Sequence, residues 1–177
     1  MINAVVFIGP ESTLKSTLVK QTASYFAVPY LPEVARNYAK AVLKHKNRYL
    51  ISSDILKLAR LEQHQYNRLK QTIKKELFIV QDTDNISTLV YASYYYKSFN
   101  TQLLKPYIDT KHKIYILSYP DVNLVEDDIR DLSANRLALF HRFKKELDLR
   151  QLPYKVIMGS LENRFTQAIG FIKLNNL

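Results

Sequence analysis

Short apolar runs recur along the chain, each followed by a longer stretch of helical spacing. The runs are Ala4-Val5-Val6-Phe7-Ile8, Val28 to Leu31, Leu77-Phe78-Ile79-Val80, Ile114-Tyr115-Ile116-Leu117 and Tyr154 to Met158. Brevity and β-branched or aromatic content mark them as strands. The intervening patterns predict helices over Lys15 to Phe26, Val34 to Leu43, Ser53 to Lys75, Ile86 to Tyr96 and Ala134 to Leu147, and a last one marked by Phe165, Ala168, Ile169 and Ile172. In the longest, Ile55, Leu58, Ala59, Glu62, Tyr66, Leu69 and Ile73 recur on one helical face. Alternating strands and helices imply βαβ units, and strands without polar alternation are buried on both faces, as in a parallel sheet. Ligands of such sheets lie at the carboxyl ends of the strands.

With 177 residues and no internal repeat, low-complexity tract or linker, the chain is expected to form a single domain over 1–177. The segment from about 120 to 136 is polar and acidic, and reads as a loop or lid. The absence of cysteine excludes disulfides, cysteine-ligated zinc, iron–sulfur clusters and cysteine nucleophiles. Only three glycines are present, too few for a repeated glycine motif. The four histidines have no metal-ligand spacing. No stretch approaches the roughly 18 apolar residues of a membrane span, and no signal peptide is recognisable, so the expectation is a cytoplasmic protein without membrane contact.

The first strand runs into Gly9-Pro10-Glu11-Ser12-Thr13-Leu14-Lys15-Ser16-Thr17. The phosphate-loop pattern is GxxxxGK[ST], and Gly9, Lys15 and Ser16 stand at its positions between a strand and a helix. Backbone N–H groups of such a loop, including those of Glu11, Ser12 and Thr13, surround phosphate oxygens at the helix N-terminus. Lys15 would reach the β and γ phosphates, and the Ser16 hydroxyl would bind Mg²⁺. Leu14 replaces the second glycine of the pattern. It is expected to put a large apolar side chain beside the polyphosphate.

Asp82 follows the third strand, matching the second nucleotide-binding signature, where it holds Mg²⁺ directly or through water; it reads also as a helix cap. Asp84 reads as a cap or substrate ligand. Glu33 follows the second strand and can accept the proton of an attacking hydroxyl, with Arg36 one turn on to hold a substrate phosphate. The same two residues also read as a solvated ion pair. Arg130 and Arg136 lie in or beside the expected lid, where they would neutralise charge in phosphoryl transfer or simply sit on the surface.

A net charge of +10 suggests an anionic partner. Basic clusters such as Lys40, Lys44, Lys46 and Arg48 scatter around helices, so nucleic acid is not the expected partner. The 13 tyrosines, Tyr94-Tyr95-Tyr96 among them, read as packing residues.

Together these motifs resemble the NadR-type ribosylnicotinamide kinase domain within the AAA-like group of small phosphate-loop ATPases and kinases. The resemblance rests on the Gly9–Thr17 loop, Pro32-Glu33-Val34-Ala35-Arg36-Asn37-Tyr38, Asp82-Thr83-Asp84-Asn85-Ile86-Ser87-Thr88, Asp121 to Arg130, and Gly159 followed by Arg164. It implies a three-layer α/β phosphate-loop fold of adenylate-kinase type, with a five-stranded parallel sheet in the order 2-3-1-4-5. It implies ATP and Mg²⁺ as cofactors and a nucleoside-like small molecule as phosphoryl acceptor. By the same resemblance Lys15 and Ser16 handle phosphate and metal, Asp82 the metal, Glu33 and Arg36 the acceptor, and Arg130 and Arg136 the lid. Three positions depart from the family pattern: Leu14 for glycine, Asp128 for the lid glycine, and Leu124 near the place of the lid tryptophan. They motivate the alternative of a degenerate nucleotide-binding or regulatory protein with weak or no turnover. Oligomeric state is not legible.

Overall fold

A computed structural model describes residues 3–73, 77–122 and 135–175. In chain order its elements are β1 (Ala4–Ile8), α1 (Lys15–Phe26), β2 (Tyr30–Leu31), α2 (Val34–Lys46), α3 (Ile55–Thr72), β3 (Ile79–Asp82), α4 (Asn85–Tyr95), β4 (Lys113–Ser118), α5 (Arg136–Leu149), β5 (Tyr154–Ile157) and α6 (Leu161–Leu174). Short 3₁₀ turns at Ser52–Asp54 and Thr101–Tyr107 complete them.

The strands form one parallel sheet in the order β2-β3-β1-β4-β5. This is the order that the resemblance implies. The central strand β1 is buried along its whole length, which explains its unbroken apolar run. Its side chains alternate between two layers. Val6 and Ile8 pack with Tyr66, Ile86 and Phe143 of α3, α4 and α5. Val5 and Phe7 pack with Leu18, Ala168 and Ile172 of α1 and α6. The sheet is thus the middle of three layers.

Boundaries differ from the expectation where local bonds compete. Val28 donates its N–H to Ala23 O at 3.0 Å and so closes the C-terminus of α1, which leaves β2 only Tyr30–Leu31. Helix α2 continues beyond Leu43 to Lys46, where Asn47 caps it in the left-handed conformation (φ 48°). Strand β3 begins later and takes in Gln81 and Asp82. The turn at Thr101–Tyr107 has no periodic signature; it buries Leu104 against Ile55, Ala59, Leu89 and Ala92. Among the described residues no helix is long and apolar enough to cross a membrane.

Candidate functional site

The site lies at the carboxyl ends of β1 and β3. Register pairs Phe7 with Asp82, so the β1 loop and the end of β3 emerge side by side. Gly9 has φ 135°, and a Cβ there would stand 2.7 Å from the Ser118 carbonyl of β4. Both the conformation and the close approach require glycine.

Beyond Gly9 the chain turns through left-handed residues at Ser12 (φ 52°) and Leu14 (φ 66°, ψ 12°). Leu14 therefore keeps the backbone path for which the motif uses glycine. Its side chain packs against the apolar cluster of Val5, Phe7 and Leu18. The side chain is half-buried, with apolar partners in the α1 and α6 layer. The left-handed backbone still costs about 1–2 kcal/mol for a residue carrying a Cβ.

The Thr13 hydroxyl donates to Pro10 O at 2.9 Å. The Lys15 ammonium donates to the same carbonyl at 2.6 Å and to Thr13 Oγ1 at 3.3 Å. Lys15 is buried and lies across its own loop. Ser16 follows in the first turn of α1 and donates to Asp82 Oδ2 at 2.5 Å. Thr17 is exposed, and Glu11 is half-buried. Thr83 adopts φ 65° and donates its N–H to Phe7 O at 2.9 Å, which fixes the turn after Asp82 to β1.

Glu33 precedes α2 and does not cap it with its side chain. Glu33 and Arg36 are both half-buried. Tyr91 of α4 brings a hydroxyl near Glu11 and Glu33; burial first, then these carboxylates, push its pKa well above the ordinary phenol range. Its ring meets Phe143 edge-on, with centroids 5.7 Å apart. Tyr91 was hidden in the sequence among many tyrosines of helical spacing.

Asp84 is buried and engaged at both carboxylate oxygens. Oδ1 caps α4 by accepting from Ile86 N at 3.0 Å. Oδ2 accepts from Tyr115 OH at 2.9 Å and Lys113 Nζ at 3.3 Å. Of the two readings of this residue, these bonds are those of a cap. The Lys113 ammonium also lies 4.4 Å from the centre of the Tyr66 ring. Glu62 joins this group from α3, accepting from Thr88 Oγ1 at 3.2 Å. Burial, then the Asp84 carboxylate, raise the Glu62 pKa to about 8 against a partial opposing effect of Lys113. Sequence reasoning missed this group; its one signal was a glutamate on an otherwise apolar helix face.

Arg136 opens α5 and donates to Val122 O at 2.6 Å, Pro120 O at 3.1 Å and Ser12 O at 3.4 Å. It thus joins the β1 loop to the chain leaving β4. Arg130, Asp128 and Leu124 lie outside the described residues, as does most of the expected lid. Arg164 is fully buried and donates to Gly159 O at 2.7 Å, Tyr119 O at 2.9 Å, Ile157 O at 3.4 Å and the Asp121 carboxylate. Asp121 Oδ2 in turn accepts from Gly159 N at 2.7 Å. The Gly159 and Arg164 signature therefore pins the ends of β4 and β5 together. Among the described residues no histidine, aspartate and glutamate group has the arrangement of a metal cluster.

A left-handed loop on the central strand, a lysine and serine opening the next helix, and an aspartate ending the neighbouring strand, in a sheet of order 2-3-1-4-5, define a protein of the phosphate-loop kinase fold. A family model described as an AAA domain matches residues 4–164, and the chain belongs to that family. No curated protein sequence matches it. Among solved structures it is similar to the NadR protein in complex with NR, at 21% identity and TM-score 0.82 over 98% of this chain and 50% of that one. The NadR protein in complex with NAD and AMP-PNP gives 20% identity and TM-score 0.81 over 98% and 49% of the two chains. The chain thus spans about half the length of these NadR chains. Thymidylate kinase from Ehrlichia chaffeensis, at 16% identity, covers 99% of this chain and 98% of its own with TM-score 0.67. The likeness is one of fold, and the NadR-type resemblance of the motifs agrees with it.

Proposed function

We propose that this protein is an ATP- and Mg²⁺-dependent kinase that transfers a phosphoryl group to a hydroxyl of a nucleoside-like small molecule. The observation that carries the reading is the Ser16 to Asp82 contact, 2.5 Å, at the mouth of a loop that keeps its left-handed turn despite Leu14. A hydroxyl and a carboxylate at hydrogen-bond distance are the hard oxygen donors that suit Mg²⁺. The close approach of Gly9 to β4 and the N-terminus of the twelve-residue α1 suit a polyphosphate. When bound, Mg²⁺ would neutralise charge on the phosphate oxygens.

In this reading the loop N–H groups and Lys15 hold the phosphates, and Lys15 exchanges its bond to Pro10 for one to the nucleotide. Arg136 holds the loop against the chain leaving β4 and adds positive charge near the phosphates, with Arg130 as a second lid arginine. Glu33 accepts the proton of the acceptor hydroxyl, and Arg36 orients the acceptor. Asp84 supports α4 from below instead of touching substrate. The families of the similar structures make nicotinamide riboside the first acceptor to try. Single-domain organisation, a cytoplasmic location and the absence of a nucleic-acid partner go with this reading.

A second reading, a nucleotide-binding or regulatory protein with little turnover, is favoured by one observation, the strained Leu14. Calorimetric titration with Mg·ATP followed by a screen of nucleoside acceptors separates the two. Binding with acceptor-dependent ADP formation supports the kinase and removes the second reading; weak or absent binding, or binding without turnover, supports the second reading.

A further inference from the structure

The kinase reading gives the buried carboxyl of Glu62 no task. Glu62 is 3% exposed on the α3 face that meets α4. Four charged or polar groups act on it. Thr88 of α4 donates to it at 3.2 Å. Asp84 approaches from the start of α4, Lys113 from β4, and Glu33 from the start of α2. Lys113 is already shared between Asp84 and the Tyr66 ring. One buried ammonium thus stands beside two buried carboxyl groups, Glu62 and Asp84. Ionising both would leave a negative charge in the core that Lys113 alone does not balance.

We propose that Glu62 is a positioning residue for the acceptor side of the site: as an uncharged acid it ties α3 to α4 through Thr88 and adds no negative charge behind the Glu33 carboxylate. The inference rests on the kinase reading for its effect on the acceptor, but not for its effect on the helices. Thr88 lies one turn before Tyr91, which reaches Glu11 and Glu33, so a shift of α4 moves the wall that the acceptor meets. The raised pKa of about 8 agrees with an acid that stays protonated at neutral pH. The linkage has a definite sign. The carboxyl titrates near its ordinary value when unfolded and near 8 when folded, so its contribution to stability shrinks as pH rises between them and is gone above 8.

The test compares wild type with Glu62→Gln, which mimics the neutral acid, and Glu62→Ala, which removes the tie. With ATP and nicotinamide riboside at pH 7, Glu62→Ala should raise the acceptor KM about tenfold and leave the ATP KM in place, as expected for one lost buried hydrogen bond. Glu62→Gln should restore the acceptor KM to within about threefold and remove the fall in activity near pH 8. Thermal unfolding from pH 5 to 9 should show a wild-type midpoint that declines up to pH 8, with that component missing in Glu62→Gln. Amide exchange along α4 should speed up in Glu62→Ala but not in Glu62→Gln. Identical unfolding profiles for wild type and Glu62→Gln would overturn the protonated state. Unchanged α4 exchange in Glu62→Ala would overturn the tie. If no nucleoside is phosphorylated, the kinase reading falls, while exchange and unfolding still decide the role of Glu62.

Discussion

Ser16 and Asp82 meet across 2.5 Å, joining the first turn of α1 to the end of β3. The sheet makes this contact: parallel pairing of Phe7 with Asp82 brings the two strand ends level, and Gly9 lets β1 turn over β4. Two residues far apart in the chain thus present a hydroxyl and a carboxylate at one point. If they share a divalent cation, removing either should weaken nucleotide binding only when that cation is present.

Ser16→Ala and Asp82→Asn should therefore each lower Mg²⁺-dependent ATP affinity by roughly 10–100-fold, the usual effect of altering a metal's surroundings. Affinity measured in EDTA should change little. Circular dichroism should show both variants folded. Equal losses with and without Mg²⁺ would remove the metal from this pair.

Lys15→Met should cut turnover by about 10²–10³, the usual effect of removing one group that stabilises transition-state charge. Lys15 donates to Pro10 O and Thr13 Oγ1, while Thr13 also holds Pro10 O through its own hydroxyl, so the loop retains a brace without the lysine. Single-turnover rates with saturating ATP measure the effect. A variant with wild-type rates would show that the lysine only braces its loop.

Leu14→Gly pits two effects against each other. Releasing the left-handed leucine gains about 1–2 kcal/mol. Losing its packing against Val5, Phe7 and Leu18 costs about 1–2 kcal/mol, and glycine adds about 0.5–1 kcal/mol of unfolded-state entropy. Stability should stay within about 1 kcal/mol of wild type, and ATP affinity within about threefold. A gain in affinity beyond about tenfold would show that the leucine obstructs the phosphates and would favour the low-turnover reading.

Asp54 sets an acid limit on stability. It is 1% exposed, and Arg48 donates to its two oxygens at 2.7 and 3.2 Å. The guanidinium holds its carboxyl at about 2, below the ordinary carboxylate value. A depressed pKa contributes stability above the unfolded value, and that contribution is lost as pH falls through about 4 to 2. Asp54→Asn should cost about 2 kcal/mol at pH 7 and flatten the unfolding curve in that window. Denaturant unfolding at pH 7, 4 and 2.5 checks it, and a parallel pH slope in the variant would contradict the assignment.

The strand order and the loop were legible because they depend on local pattern. Apolar runs mark the strands, and Gly9, Lys15 and Ser16 mark the turn that follows β1. What the sequence hid depends on distant partners. The start of β2 falls two residues after that of its apolar run because Val28 bonds back to α1, which no residue type announces. Glu62 stands on the apolar face of α3, but neither its partners nor the burial of Lys113 shows in the sequence, because Asp84 and Thr88 arrive from α4 to meet them. Tyr91 was indistinguishable from its tyrosine neighbours until α4 set it beside Glu11 and Glu33. Leu14 could be read as a misfit from the motif, but only the backbone shows that its turn persists.

Arg164 carries the last prediction. It is fully buried, and its guanidinium donates to the carbonyls of Gly159, Tyr119 and Ile157 and to the Asp121 carboxylate. These groups lie at the ends of β4 and β5, so one planar side chain donates to three carbonyls there, Ile157 O among them, which also accepts from Tyr119 N–H. Lysine offers a single ammonium without that fork and cannot reach them together. Arg164→Lys should cost about 3 kcal/mol, because buried acceptors lose their donors. Asp121→Asn keeps an oxygen for Gly159 N–H but turns its amide N–H toward the guanidinium, and should cost about 2 kcal/mol. Denaturant unfolding of both variants measures the ranking. A Lys variant as stable as wild type would show that the β4 and β5 ends are held by the sheet alone, and would free Arg164 for a part in the site.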